Sequence, residues 1–243
     1  MRTIFDESYG NKEYEKVDWY LPDGEISDLL VWFHGGGLEN GTRKSICFAD
    51  KLTARGVAVC SVEYSLYPSA KFPDYIKDCA KAVAYSAKRA EEIGCKGKFY
   101  VSGQSAGAYI TLMLCLDKRY FEEVGFDRNR IDGYISDSAQ TTTHFNVLRE
   151  RGIPSTYERI DDGAPLYFVS AECDYKSLLL LCYENDMPCR VTQNELLYES
   201  LLRHYPQGKI TLKVLPGWHV HGSTVLNENG SYDFVDEVLE FIK

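Results

Sequence analysis

The sequence predicts an α/β protein with a mostly parallel sheet. Apolar runs of strand length alternate with amphipathic stretches of helix length along most of the 243 residues. Several of the strands, such as residues 29–33 and 57–62, are continuously apolar, as expected for strands that are covered on both faces. Strands and helices in alternation pack as one sheet with right-handed crossovers. The length suits one domain, so we predict a single domain over residues 1–243.

The first predicted elements lead to a glycine-rich segment. Residues 12–21 alternate apolar and polar and end at Pro-Asp-Gly, which predicts a strand of an early hairpin. Residues 29–33 form the first buried strand. A helix is predicted over 44–55 with Gly56 as its C-terminal cap, and the buried strand at 57–62 follows directly.

The second half of the chain continues the pattern with one interruption. The remaining predicted elements are helices over 73–93, 105–116, 192–204 and 232–242, and strands over 98–102, 131–137, 178–183 and 209–215. Proline opens the first of these helices and glycine closes it. Residues 138–177 are too long for an ordinary loop. We therefore predict that they form a small cap, inserted before the strand at 178–183.

Composition excludes several classes of protein. The net charge of −9, from 36 acidic and 27 basic residues, argues against binding to nucleic acids or anionic membranes. No apolar run approaches the roughly 20 residues of a membrane span, and the N-terminus has no signal-peptide pattern. The eight cysteines form no C-x-x-C or zinc-like spacing, which predicts packing residues in a reducing, cytoplasmic compartment. Nothing in the sequence predicts the oligomeric state.

The junction between the strand at 98–102 and the next helix carries a candidate nucleophile. It has the form Gly-x-Ser-x-Gly, with Ser105 between Gly103 and Gly107. In a strand–turn–helix setting this pattern lifts the serine above the sheet, at the N-terminus of a helix whose dipole favours negative charge. Side chains at the two glycine positions would collide with neighbouring backbone, so the turn needs both glycines.

A second glycine-rich segment follows the strand at 29–33. It contains Gly36 and Gly37 but lacks the Lys-Ser/Thr of a phosphate-binding loop. Backbone without side chains can instead present N–H groups to a developing alkoxide. With the N–H of Ala106, which follows the nucleophile, the N–H groups of Gly36 and Gly37 are predicted to form an oxyanion hole.

These two motifs resemble those of the α/β-hydrolases, and within them the hormone-sensitive-lipase-like carboxylesterases. That group has His-Gly-Gly-Gly after its third strand and a Tyr-Arg-Leu-x-Pro segment. Residues 64–68 correspond to the second segment, with Ser65 in place of the usual arginine. Residues 142–148 and 185–188 also look like segments of small bacterial feruloyl or carboxyl esterases. The resemblance implies an α/β-hydrolase fold and a serine hydrolase activity.

Two aspartates are candidates for the acid of a catalytic triad. In the α/β-hydrolase fold, the acid follows the serine in the sequence and precedes the histidine. Asp186 follows the apolar strand at 178–183 and precedes a predicted helix. It therefore satisfies the order strand, acid loop, helix, strand, histidine without an unpaired strand. Asp174, which closes a less apolar stretch, is the alternative. The family resemblance favours Asp186.

Two histidines are candidates for the base. His219 and His221 both lie in the loop after the last predicted strand. Side chains two residues apart in an extended loop point the same way, so the residues alone leave both open. The resemblance to Gly-x-His in the narrower esterase group favours His219.

Together these residues predict a serine carboxylesterase acting on short-chain or aryl esters, hydroxycinnamoyl esters included. Ser105 would attack the ester carbonyl, His219 would accept its proton, and Asp186 would orient the imidazole. The expected partner is a small-molecule ester, and neither a metal nor an organic cofactor is implied. The alternatives are an arylformamidase, amidase or small peptidase on the same fold, and a catalytically inactive ligand-binding homologue.

Overall fold

The sheet of this computed structural model, which describes residues 1–243, has eight strands. Their order across the sheet is β1-β2-β4-β3-β5-β6-β7-β8. The strands are β1 Arg2–Ser8, β2 Lys16–Leu21, β3 Asp28–Phe33, β4 Val57–Val62, β5 Phe99–Gln104, β6 Gly133–Asp137, β7 Ser177–Asn185 and β8 Lys209–Trp218. The helices are α1 Ala49–Thr53, α2 Asp74–Glu92, α3 Ala106–Leu116, α4 Arg119–Glu123, α5 Phe145–Glu150, α6 Arg190–His204, α7 His221–Thr224 and α8 Asp233–Phe241.

The parallel α/β sheet confirms the predicted fold class. Strands β3 to β8 pair in parallel, whereas β1 and β2 form an antiparallel hairpin at one edge. Helices cover both faces: α2, α3 and α6 pack on one side, and α1 and α8 pack on the other. None of the helices combines the length and the apolar composition that a bilayer span requires.

The structure differs from the prediction in several short elements. The helix predicted over 44–55 is a 3-10 turn at Arg43–Ser45 followed by the separate helix α1. The buried Arg43 side chain ties the turn to Asp18 on β2 and to Glu63, which follows β4. Strand β1 was not predicted, since as an edge strand it is mostly exposed and shows no apolar alternation. The short helices α4, α5 and α7 were also not predicted.

The segment 138–177, predicted to be a cap, connects β6 to β7. It contains α5 and a 3-10 turn at Pro165–Phe168. Thr141 donates two hydrogen bonds to Gln193 on α6, and the Tyr109 hydroxyl on α3 donates to the carbonyl of Gly163 at 2.9 Å. The segment is therefore tied to the helices on one face of the sheet. That it acts as a cap remains a prediction.

The topology brings the candidate residues to one edge of the sheet. Strands β3, β5, β6, β7 and β8 are parallel, so their carboxyl ends meet at the same edge, where ligands bind in open α/β sheets. His34, Ser105, Ser138, Asp186 and His219 each follow one of these strands within one residue. Helix α3, which begins immediately after Ser105, is buried along its whole length and so holds this position firmly.

A buried arginine connects the edge hairpin to this end of the sheet. Arg43 is 8% exposed, and its guanidinium donates to Asp18 at 2.9 Å, to Glu63 at 3.0 Å, and to Asp6. Asp18 is completely buried, so its charge depends on this arginine for compensation.

We expect Arg43→Ala to lower the free energy of unfolding by about 3–5 kcal/mol, because it leaves the Asp18 carboxylate buried without an opposite charge. Lys77→Ala is the matched control. Lys77 pairs with Glu123 at 2.7 Å on the surface, where such pairs contribute at most about 1 kcal/mol. Urea unfolding at neutral pH measures both, and equal losses in the two variants would contradict this role of Arg43.

Candidate active site

The backbone at Ser105 has an unusual conformation. Its φ of 54° and ψ of −111° lie outside the regions that a residue with a Cβ ordinarily occupies. A Cβ built at Gly103 or Gly107 would lie 2.2 or 2.1 Å from neighbouring backbone atoms, so only glycine fits at these positions. The Ser105 N–H donates to the carbonyl of Asp137 at 2.7 Å, which fixes the turn to strand β6.

Ser105, His219 and Asp186 form a continuous chain of hydrogen bonds. His219 Nε2 lies 2.9 Å from Ser105 Oγ, and His219 Nδ1 lies 2.5 Å from Asp186 Oδ1. A carboxylate can only accept, so it places the histidine proton on Nδ1. Nε2 is then left with a lone pair that accepts the serine hydroxyl.

The surroundings of Asp186 favour its ionised form. Burial opposes ionisation, but the hydrogen bonds to Asp186 outweigh burial and hold its pKa below the usual value. These bonds come from His219, from the backbone N–H of Met187 at 2.7 Å, and from Ser138 Oγ at 2.8 Å. Since Ser138 Oγ also accepts the N–H of Val220 at 3.3 Å, Ser138 links the acid to the loop that carries His219.

The two alternative residues, Asp174 and His221, take no part in these hydrogen bonds. Asp174 is exposed and precedes the amino end of β7, at the opposite edge of the sheet. His221 opens helix α7, where its ring packs edge-on against Trp218 with 4.0 Å between ring centroids. Its Nδ1 is buried without a hydrogen-bond partner.

The glycine-rich loop after β3 passes beside the nucleophile. A Cβ built at Gly35 would lie 3.3 Å from the Cβ of Ser105. The N–H groups of Gly36 and Gly37 donate no hydrogen bond within the chain, and the N–H of Ala106, in the first turn of α3, has no intrahelical partner. Three N–H groups near Ser105 are thus available to a ligand oxygen.

Contacts on both sides hold this loop in place. On one side, His34 Nε2 lies 3.2 Å from Glu63 Oε1, and the His34 ring stacks on Tyr64 with 4.2 Å between centroids. On the other side, Asn146 Nδ2 donates to the carbonyl of Gly37 at 2.9 Å. The ring of Phe145 packs against Gly37, where an added Cβ would lie 2.9 Å from Phe145 Cζ.

Sequence reasoning missed a buried carboxylate beneath the site. Asp137 is completely buried and accepts hydrogen bonds from the Tyr183 hydroxyl at 3.0 Å and from Ser223 Oγ. Ser223 in turn accepts from Gln104 Nε2 at 2.8 Å, next to the nucleophile. Burial raises the pKa of Asp137 to about 6, although the hydrogen bonds from Ser223 and Tyr183 partly offset this effect.

One sequence signal could have pointed to Asp137. The strand predicted over 131–137 ends at Asp137, and Ser138 follows it. Polar residues at the carboxyl end of a parallel strand lie at the ligand-binding edge of the sheet. Ser138 also has a positive φ of 63°, which the sequence does not reveal.

Known structures with the same architecture define the class of the fold. Esterase B from Lactobacillus rhamnosis superposes with a TM-score of 0.79 at 16% identity, covering 99% of this chain and 84% of that one. At this identity the match establishes the fold alone. The chain thus has the α/β-hydrolase fold.

The sequence comparisons establish the family. Residues 17–163 match the BD-FAE family, to which the chain therefore belongs. Esterase LipI of Mycobacterium tuberculosis is 31% identical over 154 residues, which are 62% of this chain and 44% of that protein. Kynurenine formamidase of Danio rerio is 30% identical over 116 residues, 46% of this chain and 39% of that protein. The chain thus matches less than half the length of these two relatives.

The raised pKa of Asp137 predicts a pH-dependent effect of Asp137→Asn on stability. Between pH 3.8 and about 6, the folded state keeps a proton that the unfolded chain has lost, so this group makes the fold less stable as pH rises. The unfolding free energy of the variant minus that of the wild type should therefore increase by about 3 kcal/mol across this range. Urea unfolding at several pH values between 4 and 7 measures this difference.

Asp174→Asn is the matched control, because Asp174 is exposed and no hydrogen bond to its side chain is present. This surface substitution should change the unfolding free energy by at most about 0.5 kcal/mol at neutral pH. If the difference in unfolding free energy between Asp137→Asn and the wild type did not change between pH 4 and 7, the raised pKa of Asp137 would be contradicted.

Proposed function

We propose that the protein is a serine esterase that uses Ser105 as nucleophile, His219 as general base and Asp186 as the acid of the triad. The observation that carries this proposal is the unbroken hydrogen-bond chain from Ser105 Oγ through His219 to Asp186, at 2.9 and 2.5 Å. Nucleophile, base and orienting carboxylate in this arrangement are the requirements for acyl transfer.

In the first half of the reaction, Ser105 Oγ attacks the ester carbonyl carbon while its proton passes to His219 Nε2. Asp186 holds the imidazole in the required tautomer and stabilises the imidazolium that forms. The carbonyl oxygen becomes an oxyanion, which the N–H groups of Gly36, Gly37 and Ala106 stabilise. One such donor typically lowers the barrier by about 2.7–4 kcal/mol.

The intermediate then collapses to the acyl-enzyme. The C–O bond to the alcohol breaks, and His219 gives its proton to the leaving oxygen. In the second half, water attacks the acyl carbon, His219 accepts the water proton, and Ser105 leaves with that proton when the free acid departs. The same oxyanion hole serves both halves.

The surroundings of the site favour short-chain or aryl esters, hydroxycinnamoyl esters included. Phe145 is half-buried beside Gly37, and Trp218, which precedes His219, is 57% exposed. Aromatic faces next to the reacting groups suit flat or short apolar substituents. Esterase LipI, one of the sequence relatives, is named for ester chemistry, which agrees with this assignment.

An arylformamidase is the second candidate function. The similarity to the kynurenine formamidase of Danio rerio favours it, and formamide cleavage passes through the same tetrahedral intermediate. The proposed triad serves either reaction equally, so the distinction lies in how the substrate is held.

We expect Ser105→Ala to abolish covalent labelling by a fluorophosphonate and to reduce ester hydrolysis at least about 10⁴-fold, since no other group replaces the nucleophile. His219→Ala should reduce kcat comparably. His221→Ala is the matched control, because its ring packs on Trp218 outside the hydrogen-bond chain, and it should retain activity within about tenfold. Hydrolysis of 4-nitrophenyl acetate measures all three. Loss of activity in His221→Ala with retention in His219→Ala would reverse the assignment of the base.

The choice between ester and formamide chemistry can be tested on the wild type. We expect kcat/KM for methyl cinnamate and 4-nitrophenyl acetate to exceed that for N-formylkynurenine, with Ser105→Ala as the background. A formamide preference would replace esterase by arylformamidase while leaving the triad assignment intact.

A further inference from the structure

His144 is a buried histidine that the proposed reaction does not use. It is 2% exposed and caps helix α5, where its Nδ1 accepts the backbone N–H of Asn146 at 3.2 Å. Its Nε2 has no hydrogen-bond partner in the chain, but this atom is not completely buried. The ring therefore keeps one nitrogen that has no partner in the chain and is not completely enclosed.

The chemical state of this nitrogen follows from its surroundings. Because Nδ1 accepts a hydrogen bond, the proton of the neutral ring lies on Nε2, which makes Nε2 a donor. Burial, together with the nearby positive charge of Arg190, lowers the pKa of His144 to about 3. The ring is thus neutral at physiological pH and offers one N–H that has no acceptor within the chain.

The neighbours of His144 place it at the candidate active site. Its ring lies 4.3 Å from that of Phe145, which packs against Gly37 in the glycine-rich loop after β3, here called the oxyanion loop. On another side its ring lies 4.9 Å from that of Tyr109, whose backbone N–H donates to the Ser105 carbonyl. His144 thus lies between two residues of the candidate site: Phe145, which contacts Gly37, and Tyr109, which is hydrogen-bonded to the turn at Ser105.

We infer that His144 is a specificity-determining residue, whose Nε2–H donates a hydrogen bond to an oxygen atom on the acyl group of the bound substrate. This inference rests on the proposed esterase function. The leaving alcohol must lie at His219, which protonates it, so the acyl group extends the other way, along Phe145 beside the oxyanion loop. There His144 meets an aryl acyl group that carries a hydroxyl or ether oxygen.

The experiment compares esters that differ by one oxygen. Methyl cinnamates with a hydroxyl at the 3- or 4-position are paired with the corresponding methyl-substituted cinnamates, which have the same shape but no acceptor. For the wild type we expect kcat/KM to be at least about fivefold higher for one hydroxyl isomer than for its methyl counterpart, as one neutral hydrogen bond provides.

Three variants identify the donor. His144→Phe should bring this ratio close to one, and His144→Gln, which restores an N–H donor, should recover part of it. Tyr109→Phe is the matched control, because it removes a buried hydrogen bond next to His144 without touching the donor, and it should leave the ratio unchanged. An unchanged ratio in His144→Phe, or a fall of equal size in Tyr109→Phe, would overturn the inference.

Two results remain decisive even if His144→Phe does not fold. A wild type that hydrolyses hydroxyl and methyl esters equally well has no donor at this position, and the inference then fails while the esterase function stands. Failure of the esterase function itself looks different, since the wild type would then hydrolyse none of these esters and would not react with a fluorophosphonate at Ser105.

Discussion

The backbone turn at Ser105 is the constraint to which the rest of the site is adapted. A serine with a φ of 54° is held in a conformation of high energy, and the fold sustains it through packing on both sides. Gly107 permits the start of α3 to approach the end of β3, where a Cβ would lie 2.1 Å from the carbonyl oxygen of Phe33. The fully buried helix α3 then prevents the turn from relaxing. The result is a hydroxyl group that needs no rearrangement before it meets a base.

The end of strand β6 connects this turn to the segments that carry the other two residues of the proposed triad. The Asp137 carbonyl accepts the Ser105 N–H, and the Asp137 side chain binds Ser223 next to the histidine loop and Tyr183 on the strand that leads to Asp186. Burying a carboxylate is costly, and two adjacent elements offset that cost, since Tyr183 on β7 and Ser223 in α7 each orient a hydroxyl donor toward it. The positions of the proposed nucleophile, base and acid are therefore coupled through one residue, Asp137, that takes no part in the proposed chemistry.

The sequence predicts the parts of this site that depend on local backbone geometry and on the order of elements. Ser105 could be located because its glycines are required by the turn, and Asp186 because strand and helix follow in the right order around it. His219 could not be separated from His221 by the residue pattern alone. The reason is Val220, whose φ of 56° turns the chain so that the two side chains do not point the same way. Asp137 was missed because its hydrogen-bond partners, Tyr183 and Ser223, lie more than 30 residues away in the chain.

The glycine-rich loop after β3, which we propose to form the oxyanion hole, must meet two requirements that usually conflict. Its N–H groups must remain unpaired to receive a substrate oxygen, but a loop with unpaired donors is free to move. The structure resolves this conflict by binding the loop through other atoms: His34 through Glu63 and Tyr64, and the Gly37 carbonyl through Asn146. Glu63 also accepts from Arg43, so the ion pair that compensates a buried charge in the edge hairpin supports the loop as well. Arg43 thus contributes both to the stability of the fold and to the position of the loop, so removing its guanidinium should affect the two together.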